Sequence, residues 1–465
     1  MRPVYFFNPS YDERNINFYN LGLVSIASHL KRQGIPAYVY MNYLDERATK
    51  DKDYDLVLPD VLKQDPKYIG VSCMTTQYMK ALDLTERIRS LSPETEIAWG
   101  GHHVNAYYEE LKGLGLFLNT EWGEMTCEWL YKKDIDSLAK LQRDSKDVFD
   151  YPLDFSTVVN YQPVERSMRG RMVKQASIMT SYGCPYSCRF CYNSIADKSI
   201  IYRDLDSVVK EVQQVLNMGA NSIAFYDELF FLKNRPTQLF EKLKGKAVFP
   251  WLALARIDSP LDDLKYYRAN GCEEIHFGVE SGSQRMIDDC IHKRIKVNNV
   301  IPVLQKVLDA DILPRASFIV GMPGETIDDV SQTVHLVMEM AERFGNRFVI
   351  NGFFFYPIPN TPMTDEVFKG LTPQEAIDAA RLSVHPYKLF KHFDKMYNWL
   401  PDKNFFAECW YIIRVISELC APYKYYESYK PDFMNYGLSV SKETYDRLNK
   451  DALSKKWLDK VVMYQ

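Results

Sequence analysis

The 465-residue sequence contains no run of 18 apolar residues, so it predicts no membrane-spanning helix. Its first stretch, Met1–Asn15, lacks the apolar core of a secretory signal. Neither sign of charge dominates, because 57 Lys and Arg face 61 Asp and Glu, so no overall attraction to nucleic acid or anionic membranes is expected. We therefore expect a cytoplasmic protein without a nucleic-acid partner.

Cysteine is also scarce, with 9 residues, and its spacing excludes two common uses. No second cysteine pair and no H-x3-H follow to complete a structural zinc site, and disulfide frameworks belong to short secreted chains. Cys409 and Cys420 lie 11 positions apart without further cysteines beside them, so no second cluster is expected. Three cysteines do fall close together, and they are Cys184, Cys188 and Cys191.

The spacing of this triple is C-x3-C-x2-C, with Phe190 before the last cysteine. Three thiolates can hold three irons of a [4Fe–4S] cluster and leave the fourth iron open to an outside molecule. Zinc binding or a chance spacing is the alternative. The run resembles the signature of the radical S-adenosylmethionine (SAM) enzymes. The resemblance implies that a reduced cluster cleaves SAM to a 5′-deoxyadenosyl radical, with an electron donor such as flavodoxin or ferredoxin.

Before the cysteines, short apolar runs alternate with helical patterns over about 130 residues. This alternation predicts a Rossmann-like doubly wound parallel sheet, which binds ligands outside the carboxyl ends of its strands. The predicted strands are Val4–Phe7, Ala37–Met41, Tyr68–Ser72, Glu96–Trp99 and Leu116–Asn119. The clearest predicted helices are Leu21–Arg32 and Ala81–Ser90.

The loops after these strands supply candidate binding residues. Glycines permit a close approach to a flat ligand, while serine and threonine can donate hydrogen bonds. The alternative is that the glycine pair is only a turn and its histidine a surface residue. The pattern N-P…L-G-L…G-V-S-x-x-T…G-G-x-H…G-E resembles the cobalamin-binding branch of the radical SAM enzymes. It implies cobalamin bound without the histidine of a D-x-H-x-x-G motif, which is absent here. The candidate residues are Asn8, Ser72, Thr75, Gly100, Gly101, His102 and Glu124.

After the cysteines the strand–helix alternation continues, and six strands can be counted. Six strands predict a partial (β/α)6 barrel, whose ligands would lie at the carboxyl ends of the strands. The predicted strands are Ala176–Thr180, Ser222–Tyr226, Leu252–Ala255, Glu274–Gly278, Ser317–Val320 and Phe348–Phe355. The first of them leads into the cysteine loop.

Each later strand ends in residues suited to SAM. A carboxylate, Asp227 or Glu228, can accept from the ammonium of SAM, and Arg256 or Arg315 can bind its carboxylate. Each residue alone has a salt bridge or a turn as its alternative. The runs A-R-I-D, G-V-E-S-G-S and G-M-P-G-E-T resemble the radical SAM core, which implies ribose contacts near Glu280. The remaining candidates for the ribose and adenine are Phe190, Ser281, Gly321 and Tyr356.

We therefore predict four segments. A cobalamin-binding domain would cover 1–135, a linker 136–174, the radical SAM barrel 175–360, and a mainly helical C-terminal cap 361–465. The apolar stretch Phe405–Leu419 suggests either a lid over the substrate pocket or a plain helical cap. The basic stretches are expected to be solvated, and they are Arg166–Lys174 and His292–Lys296.

The predicted reaction is cobalamin-dependent methylation of an unactivated carbon of a small-molecule or natural-product substrate. Three alternatives are a cyclisation or rearrangement without methyl transfer, methyl transfer to phosphorus or nitrogen, and modification of tRNA. A tRNA-modifying enzyme would need extra cluster cysteines and a basic RNA-binding module. A fourth alternative is a non-catalytic iron–sulfur or corrinoid-binding protein. No catalytic residue that exchanges protons with the substrate can be named.

Overall fold

The computed structural model describes residues 1–9, 20–41, 57–119, 123–133, 150–159, 161–195, 198–246, 248–367, 397, 399–421 and 439–464. Within these ranges, no helix combines the length and the apolarity that a membrane crossing requires.

The first sheet has five parallel strands in the order β2-β1-β3-β4-β5. Its strands are β1 Val4–Phe7, β2 Ala37–Tyr40, β3 Tyr68–Ser72, β4 Ile97–Gly100 and β5 Phe117–Asn119. All residues of β1 and β3 are buried, as expected for central parallel strands covered by helices on both faces. The chain order reverses between β1 and β3, which is where doubly wound sheets bind their ligands. The prediction of this sheet is confirmed.

Helices cover the first sheet on its two faces. They are α1 Leu21–Arg32, α2 Leu58–Lys63, α3 Tyr78–Leu91, α4 His102–Ala106, α5 Tyr108–Leu111 and α6 Gly123–Lys132. The helix α1 begins at Asn20, whose side chain accepts from the backbone N–H of Leu23. The helix α4 follows β4 after Gly101 alone, so the glycine pair leads directly into a helix.

The second sheet has seven strands in the order β14-β13-β12-β11-β10-β7-β6. They are β6 Val164–Met168, β7 Arg171–Ile178, β10 Ser222–Phe225, β11 Trp251–Arg256, β12 Cys272–Glu280, β13 Leu313–Val320 and β14 Val349–Phe354. Six of these strands run parallel, which confirms the predicted partial barrel, and β6 is antiparallel to β7. Residues 164–174, predicted as part of a linker, form the β6–β7 hairpin of this sheet.

Helices follow the parallel strands of the second sheet. They are α7 Leu205–Asn217, α8 Arg235–Leu243, α9 Leu264–Ala269, α10 Val300–Asp309, α11 Ile327–Phe344 and α12 Pro362–Val367. A short antiparallel pair, β8 Ser181–Tyr182 and β9 Ile201–Tyr202, encloses the cysteine loop. This pair extends from the carboxyl end of β7, so the cysteines lie at the end of the barrel where ligands bind.

The helix α13, Lys403–Cys420, packs against β14 and α11. Ser417 Oγ donates to the carbonyl of Ile350 at 2.7 Å, and Trp410 Nε1 donates to that of Gly352 at 3.3 Å. The apolar stretch is therefore part of the helical layer beside the edge strand. The helices α14 Lys442–Leu448 and α15 Ala452–Tyr464 follow. The tyrosine-rich tail between them and α13 lies outside the described residues.

A strap of residues 150–159 connects the two sheets. Its backbone N–H groups donate in both directions, from Asp154 to Ser28 Oγ on α1 and from Phe155 to Gln214 Oε1 on α7. The N–H of Leu153 donates to Glu211, also on α7. The strap therefore holds a helix of the first sheet against a helix of the second.

Candidate active site

The cysteine loop runs from β8 to a single 3₁₀ turn that starts at Tyr192. Its three thiols are free and half-buried, and the N–H of Cys191 donates to the carbonyl of Cys188 at 2.9 Å. Burial raises the pKa of the Cys191 thiol, and the charges of Cys188 and Cys184 raise it further. Among the described residues no three His, Cys, Asp or Glu converge on a single ion. A cubane spreads its cysteines over three irons, so this donor set fits a [4Fe–4S] cluster.

Arg189, inside the loop, anchors it to the barrel. Its N–H donates to the carbonyl of Ile291 at 2.9 Å, and its own carbonyl accepts from the N–H of Met363 at 3.1 Å. The guanidinium donates to the carbonyl of Cys290 and pairs with Glu366 on α12. The loop is therefore held by segments that follow β12 and β14.

The two adjacent acids at the end of β10 differ in their surroundings. Asp227 is fully buried and accepts from the N–H and hydroxyl of Thr180 and from the hydroxyl of Ser181. Glu228 is half-buried, and its Oε2 has no hydrogen-bond partner among the described residues. Burial raises the pKa of Glu228, and its charge adds to the burial that raises the pKa of Cys184. A buried carboxylate oxygen without a partner among the described residues therefore lies at the carboxyl end of β10, and it suits the ammonium of SAM.

Arg256 is occupied by partners within the chain. Its Nε and Nη2 form a forked pair with Asp258 at 2.8 and 2.9 Å, and Nη2 also donates to the carbonyl of Lys293 at 2.7 Å. The guanidinium lies 3.6 Å from the ring centre of Tyr186 in the cysteine loop. The predicted contact of Arg256 with the SAM carboxylate stays a prediction, while the structure shows it supporting the loop.

Glu280, at the end of β12, is paired with a buried lysine. Its Oε1 accepts from Lys293 Nζ at 2.7 Å, and the two side chains are 9% and 8% exposed. Glu280 has a φ of +74°, a strained conformation for a residue with a side chain, and a Cβ at Gly278 would lie 2.3 Å from its carboxylate. The expectation that His292–Lys296 is a solvated stretch is wrong at Lys293, because Glu280 draws the ammonium inward.

Ser281 and Arg315 are engaged elsewhere. The hydroxyl of Ser281 is fully buried, lies 3.1 Å from that of Thr333 and accepts from a neighbouring backbone N–H. Arg315 lies near the start of β13, where it donates to Glu274 at 3.1 Å and to His276 at 3.2 Å. The structure therefore does not place Arg315 with the residues at the carboxyl end of the barrel.

The predicted adenine contacts lie along the last strands and the loop. Gly321 has a φ of +86°, its N–H donates to Glu325 Oε2 at 2.6 Å, and its carbonyl accepts from Trp399 Nε1 at 3.1 Å. Tyr356 is half-buried just beyond β14, and Phe190 packs partly against the main core. Their roles toward adenine stay predictions.

At the carboxyl ends of the strands of the first sheet, Asn20 connects two of the predicted residues, Asn8 and Ser72. Its Nδ2 donates to Ser72 Oγ at 2.8 Å and to Asn8 Oδ1 at 3.2 Å. Gln77 Nε2 donates to the same Asn8 oxygen at 3.2 Å. These contacts fix polar groups at the ends of β1 and β3, where the chain order reverses. Asn20 was missed, although an Asn directly before a helical pattern is a recognisable N-cap.

Two glycines beside this edge allow close packing within the first domain. Gly101 has a φ of +108°, and a Cβ there would lie 2.8 Å from the carbonyl oxygen of Cys73. A Cβ at Gly70 would lie 2.4 Å from the ring of Phe6. A largely apolar cavity of about 180 Å³ lies between the sheet and α1 and α6. Its lining includes Gly22, Leu23, Val71, Trp99 and Gly100. This cavity, the cradle, lies at the switch point of the sheet, where doubly wound sheets bind their cofactors.

His102 and His103 point to different places. The ring of His102 lies 3.7 Å from that of Tyr192, and Asn105 Nδ2 lies 3.4 Å from the Tyr192 hydroxyl. His103 is fully buried, with its Nδ1 3.3 Å from Thr75 Oγ1. Burial lowers the pKa of His103 to about 4, so this ring is neutral at physiological pH. His102, predicted beside cobalamin, therefore contacts the residue after Cys191.

Glu124, the last of the predicted cobalamin residues, lies in the first domain. It is buried at the start of α6, and its charge adds to the burial that raises the pKa of Tyr182 on β8. The contact between His102 and Tyr192 shows that the ligand-binding edges of the two sheets meet beside the cysteine loop.

Comparison with known protein families agrees with this geometry. Residues 178–337 match the model of the radical SAM superfamily, and residues 13–130 match that of the B12 binding domain. The chain belongs to the B12-binding branch of the radical SAM superfamily. The two matches coincide with the two sheets, so each candidate site lies in the domain that its residues suggest.

Curated relatives of this radical SAM protein are distant. An uncharacterised methyltransferase of Pyrococcus horikoshii is 22% identical over 348 residues, which cover 69% of this chain and 73% of that protein. The anaerobic magnesium-protoporphyrin IX monomethyl ester cyclase of Cereibacter sphaeroides is 20% identical over 373 residues, or 73% of this chain and 58% of that protein.

A solved structure of TsrM from Kitasatospora setae, a radical SAM methyltransferase with cobalamin and a [4Fe–4S] cluster, shares the fold. The TM-score is 0.60 at 15% identity, and the superposition covers 90% of this chain and 98% of that one. A second TsrM structure, with tryptophan and a SAM analogue, gives a TM-score of 0.60 at 18% identity over 79% and 76% of the two chains.

Besides Asn20, sequence reasoning missed several residues of the site. Arg189 and Tyr192 stand inside and directly after the cysteine run, where the pattern drew attention only to the cysteines and Phe190. Lys293 belongs to a basic stretch that by composition reads as surface. No local signal marks its pairing with Glu280, which depends on how the loop after β12 folds back.

Proposed function

We propose that this chain is a cobalamin-dependent radical SAM methyltransferase acting on a small molecule. One observation carries the proposal. The edge of the B12-binding domain that contains Gly100 and Gly101, here called the glycine edge, meets the cysteine loop of the barrel through His102 and Tyr192. A substrate between these edges would be within reach of both. The TsrM structures, from a methyltransferase with tryptophan as substrate, support the small-molecule class.

When bound, the cluster and SAM supply a 5′-deoxyadenosyl radical and cobalamin supplies a methyl group. Cys184, Cys188 and Cys191 bind the cluster, and Glu228 accepts hydrogen bonds from the SAM ammonium. Glu280, fixed by Lys293, accepts from the ribose. These carboxylates lie in partly or fully water-excluded positions, which strengthens each contact.

On the other side, residues 1–135 would form the cobalamin domain, with the cavity lined by Gly22, Gly100 and Gly101 at its binding edge. Asn8, Ser72 and Asn20 present polar groups along the same edge. We further propose that a flavodoxin or ferredoxin supplies the electron for SAM cleavage. A loop of three free thiols needs a reducing compartment, so we place the protein in the cytoplasm.

The test uses anaerobically purified full-length protein, reconstituted with iron, sulfide and hydroxocobalamin. Reduced protein is incubated with SAM carrying a deuterated methyl group and an extract of small metabolites. We expect 5′-deoxyadenosine and a product that has gained the deuterated methyl group. Cys188→Ala should abolish both, while Cys290→Ala, a half-buried thiol outside the loop, should keep them.

The outcome separates methylation from the cyclase alternative that the Cereibacter relative suggests. A product that forms with 5′-deoxyadenosine but carries no deuterium would replace methyl transfer by cyclisation or rearrangement. Failure to form 5′-deoxyadenosine in a fully reconstituted sample would refute the enzyme assignment. Failure to retain corrinoid would refute the role of the first domain.

A further inference from the structure

A joint between the two domains lies directly beside the cysteine loop, and it consists of His102, Asn105 and Tyr192. The ring centres of His102 and Tyr192 are 3.7 Å apart at an angle of 46°, and the Asn105 amide reaches the tyrosine hydroxyl. Both α4 residues belong to the first domain, and Tyr192 belongs to the second. The joint is therefore a direct contact between domains.

The position of this joint in the chain is its most informative property. Tyr192 is bonded directly to Cys191, and His102 directly to Gly101. One ring contact therefore links a cluster ligand to the glycine edge with a single residue on each side.

The far side of the cysteine loop is anchored independently. Arg189 is tied to Ile291, Met363 and Glu366, all of which belong to the barrel. These bonds fix the loop on its own domain but do not fix its position relative to the first domain. Within the described residues, Tyr192 makes the ring contact from this loop to the first domain.

The joint contributes little to either hydrophobic core. The His102 side chain is exposed and Tyr192 is half-buried, and neither ring belongs to the apolar clusters of the two sheets. A packing role alone would favour burial in one of these clusters. The rings instead meet at the mouth between the two binding edges.

We propose that Tyr192 is a positioning residue that, through His102, sets the distance and orientation of the cluster relative to the corrinoid. This inference rests on the proposed function, because it requires both groups to be bound. In a reaction that first abstracts hydrogen and then transfers a methyl group, the substrate must reach both groups from one pose. A fixed joint satisfies that requirement before the substrate arrives.

The test needs no knowledge of the substrate. The reduced cluster and cob(II)alamin each carry an unpaired electron, so pulsed EPR reads their magnetic interaction, which falls steeply with distance. Reconstituted native protein should give one defined interaction. Tyr192→Ala should weaken and broaden it, while Tyr192→Phe, which keeps the ring, should preserve it.

A substitution at Tyr192 could disturb cluster binding, because Tyr192 directly follows Cys191. A second variant, in the other domain, controls for this effect. His102→Ala changes the other domain and should broaden the interaction in the same way. Tyr108→Ala removes an exposed ring of the first domain that lies against Lys112 and should behave as native protein.

The possible results distinguish failure of the positioning role from failure of the proposed function. An unchanged interaction in fully loaded His102→Ala and Tyr192→Ala overturns the positioning role and leaves the proposed function intact. Native protein that binds the cluster but no corrinoid overturns the proposed function, and the positioning role with it.

Discussion

Two neighbouring carboxylates illustrate how strongly surroundings decide the role of a residue. Asp227 accepts from Thr180 and Ser181, so its oxygens are used to hold the start of the cysteine loop. Glu228, one residue later, keeps a buried oxygen without a partner in the described part of the chain. A buried carboxylate oxygen left unpaired costs free energy, and a cationic ligand would recover it.

Glu228→Gln should weaken SAM binding by about 10- to 100-fold, because a hydrogen bond to a charged group is worth about 1.5–3 kcal/mol. The measurement is SAM titration of the reduced cluster followed by EPR. Asp206→Asn, which changes an exposed acid paired with Lys242, should bind SAM as native protein does. Equal affinity of Glu228→Gln and native protein would remove Glu228 from the SAM site.

At the scale of elements, the turn from β4 into α4 determines what the first sheet can bind. Gly101 has a φ of +108°, and a Cβ there would lie 2.8 Å from a backbone oxygen of the loop after β3. Both facts require glycine at this position. The same turn places His102 on the joint, so cradle and joint depend on one short segment.

Gly101→Ala should destabilise the protein by about 1–3 kcal/mol and reduce corrinoid retention, since the turn must shift away from the loop after β3. Thermal unfolding and the absorbance of bound cobalamin after gel filtration measure the two effects. Gly113→Ala is the matched control, because its Cβ would meet nothing within 4 Å. Native-like stability and corrinoid content in Gly101→Ala would contradict the cradle.

For the whole molecule, the strap at 150–159 is another connection between the domains. Burial opposes ionisation of Asp154, but hydrogen bonds from Lys31, Ser156 and Gln214 lower its pKa from 3.8 to about 2. Lys31 lies on α1 and Gln214 on α7, so this one carboxylate binds helices of both domains.

The contacts of Asp154 predict that the free energy of unfolding depends on pH. Because the folded pKa of Asp154 is depressed, its stabilisation is complete above about pH 4 and is lost as the pH falls toward 2. Asp154→Asn should therefore lower the free energy of unfolding by about 1 kcal/mol at pH 7, after solvent screening, and by less near pH 3. Urea unfolding at several pH values in this range measures the difference in free energy of unfolding between native protein and Asp154→Asn. A difference that grows as the pH falls would contradict the stabilising role of the Asp154 carboxylate.

Part of the site followed from local pattern. The cysteine spacing, the strand ends and the glycine pair predicted Cys184, the acids Asp227 and Glu228, Glu280 and Gly101 as site residues. Such predictions are possible because the position of a residue at a strand end can be read from the local sequence. Arg315 shows the limit of that rule. It lies near the start of its strand, and its pairing with Glu274 follows from the register between β12 and β13.

The sequence by itself determined the fold class, the order of the two sheets and the cluster-binding loop, since hydrophobic periodicity and cysteine spacing are local properties of a chain. Only the tertiary structure decided that Lys293 is buried against Glu280 and that His102 meets Tyr192. Both contacts join residues from different elements, and His102 and Tyr192 lie 90 positions apart. Such pairs arise from how packed elements meet, and no local pattern encodes that meeting.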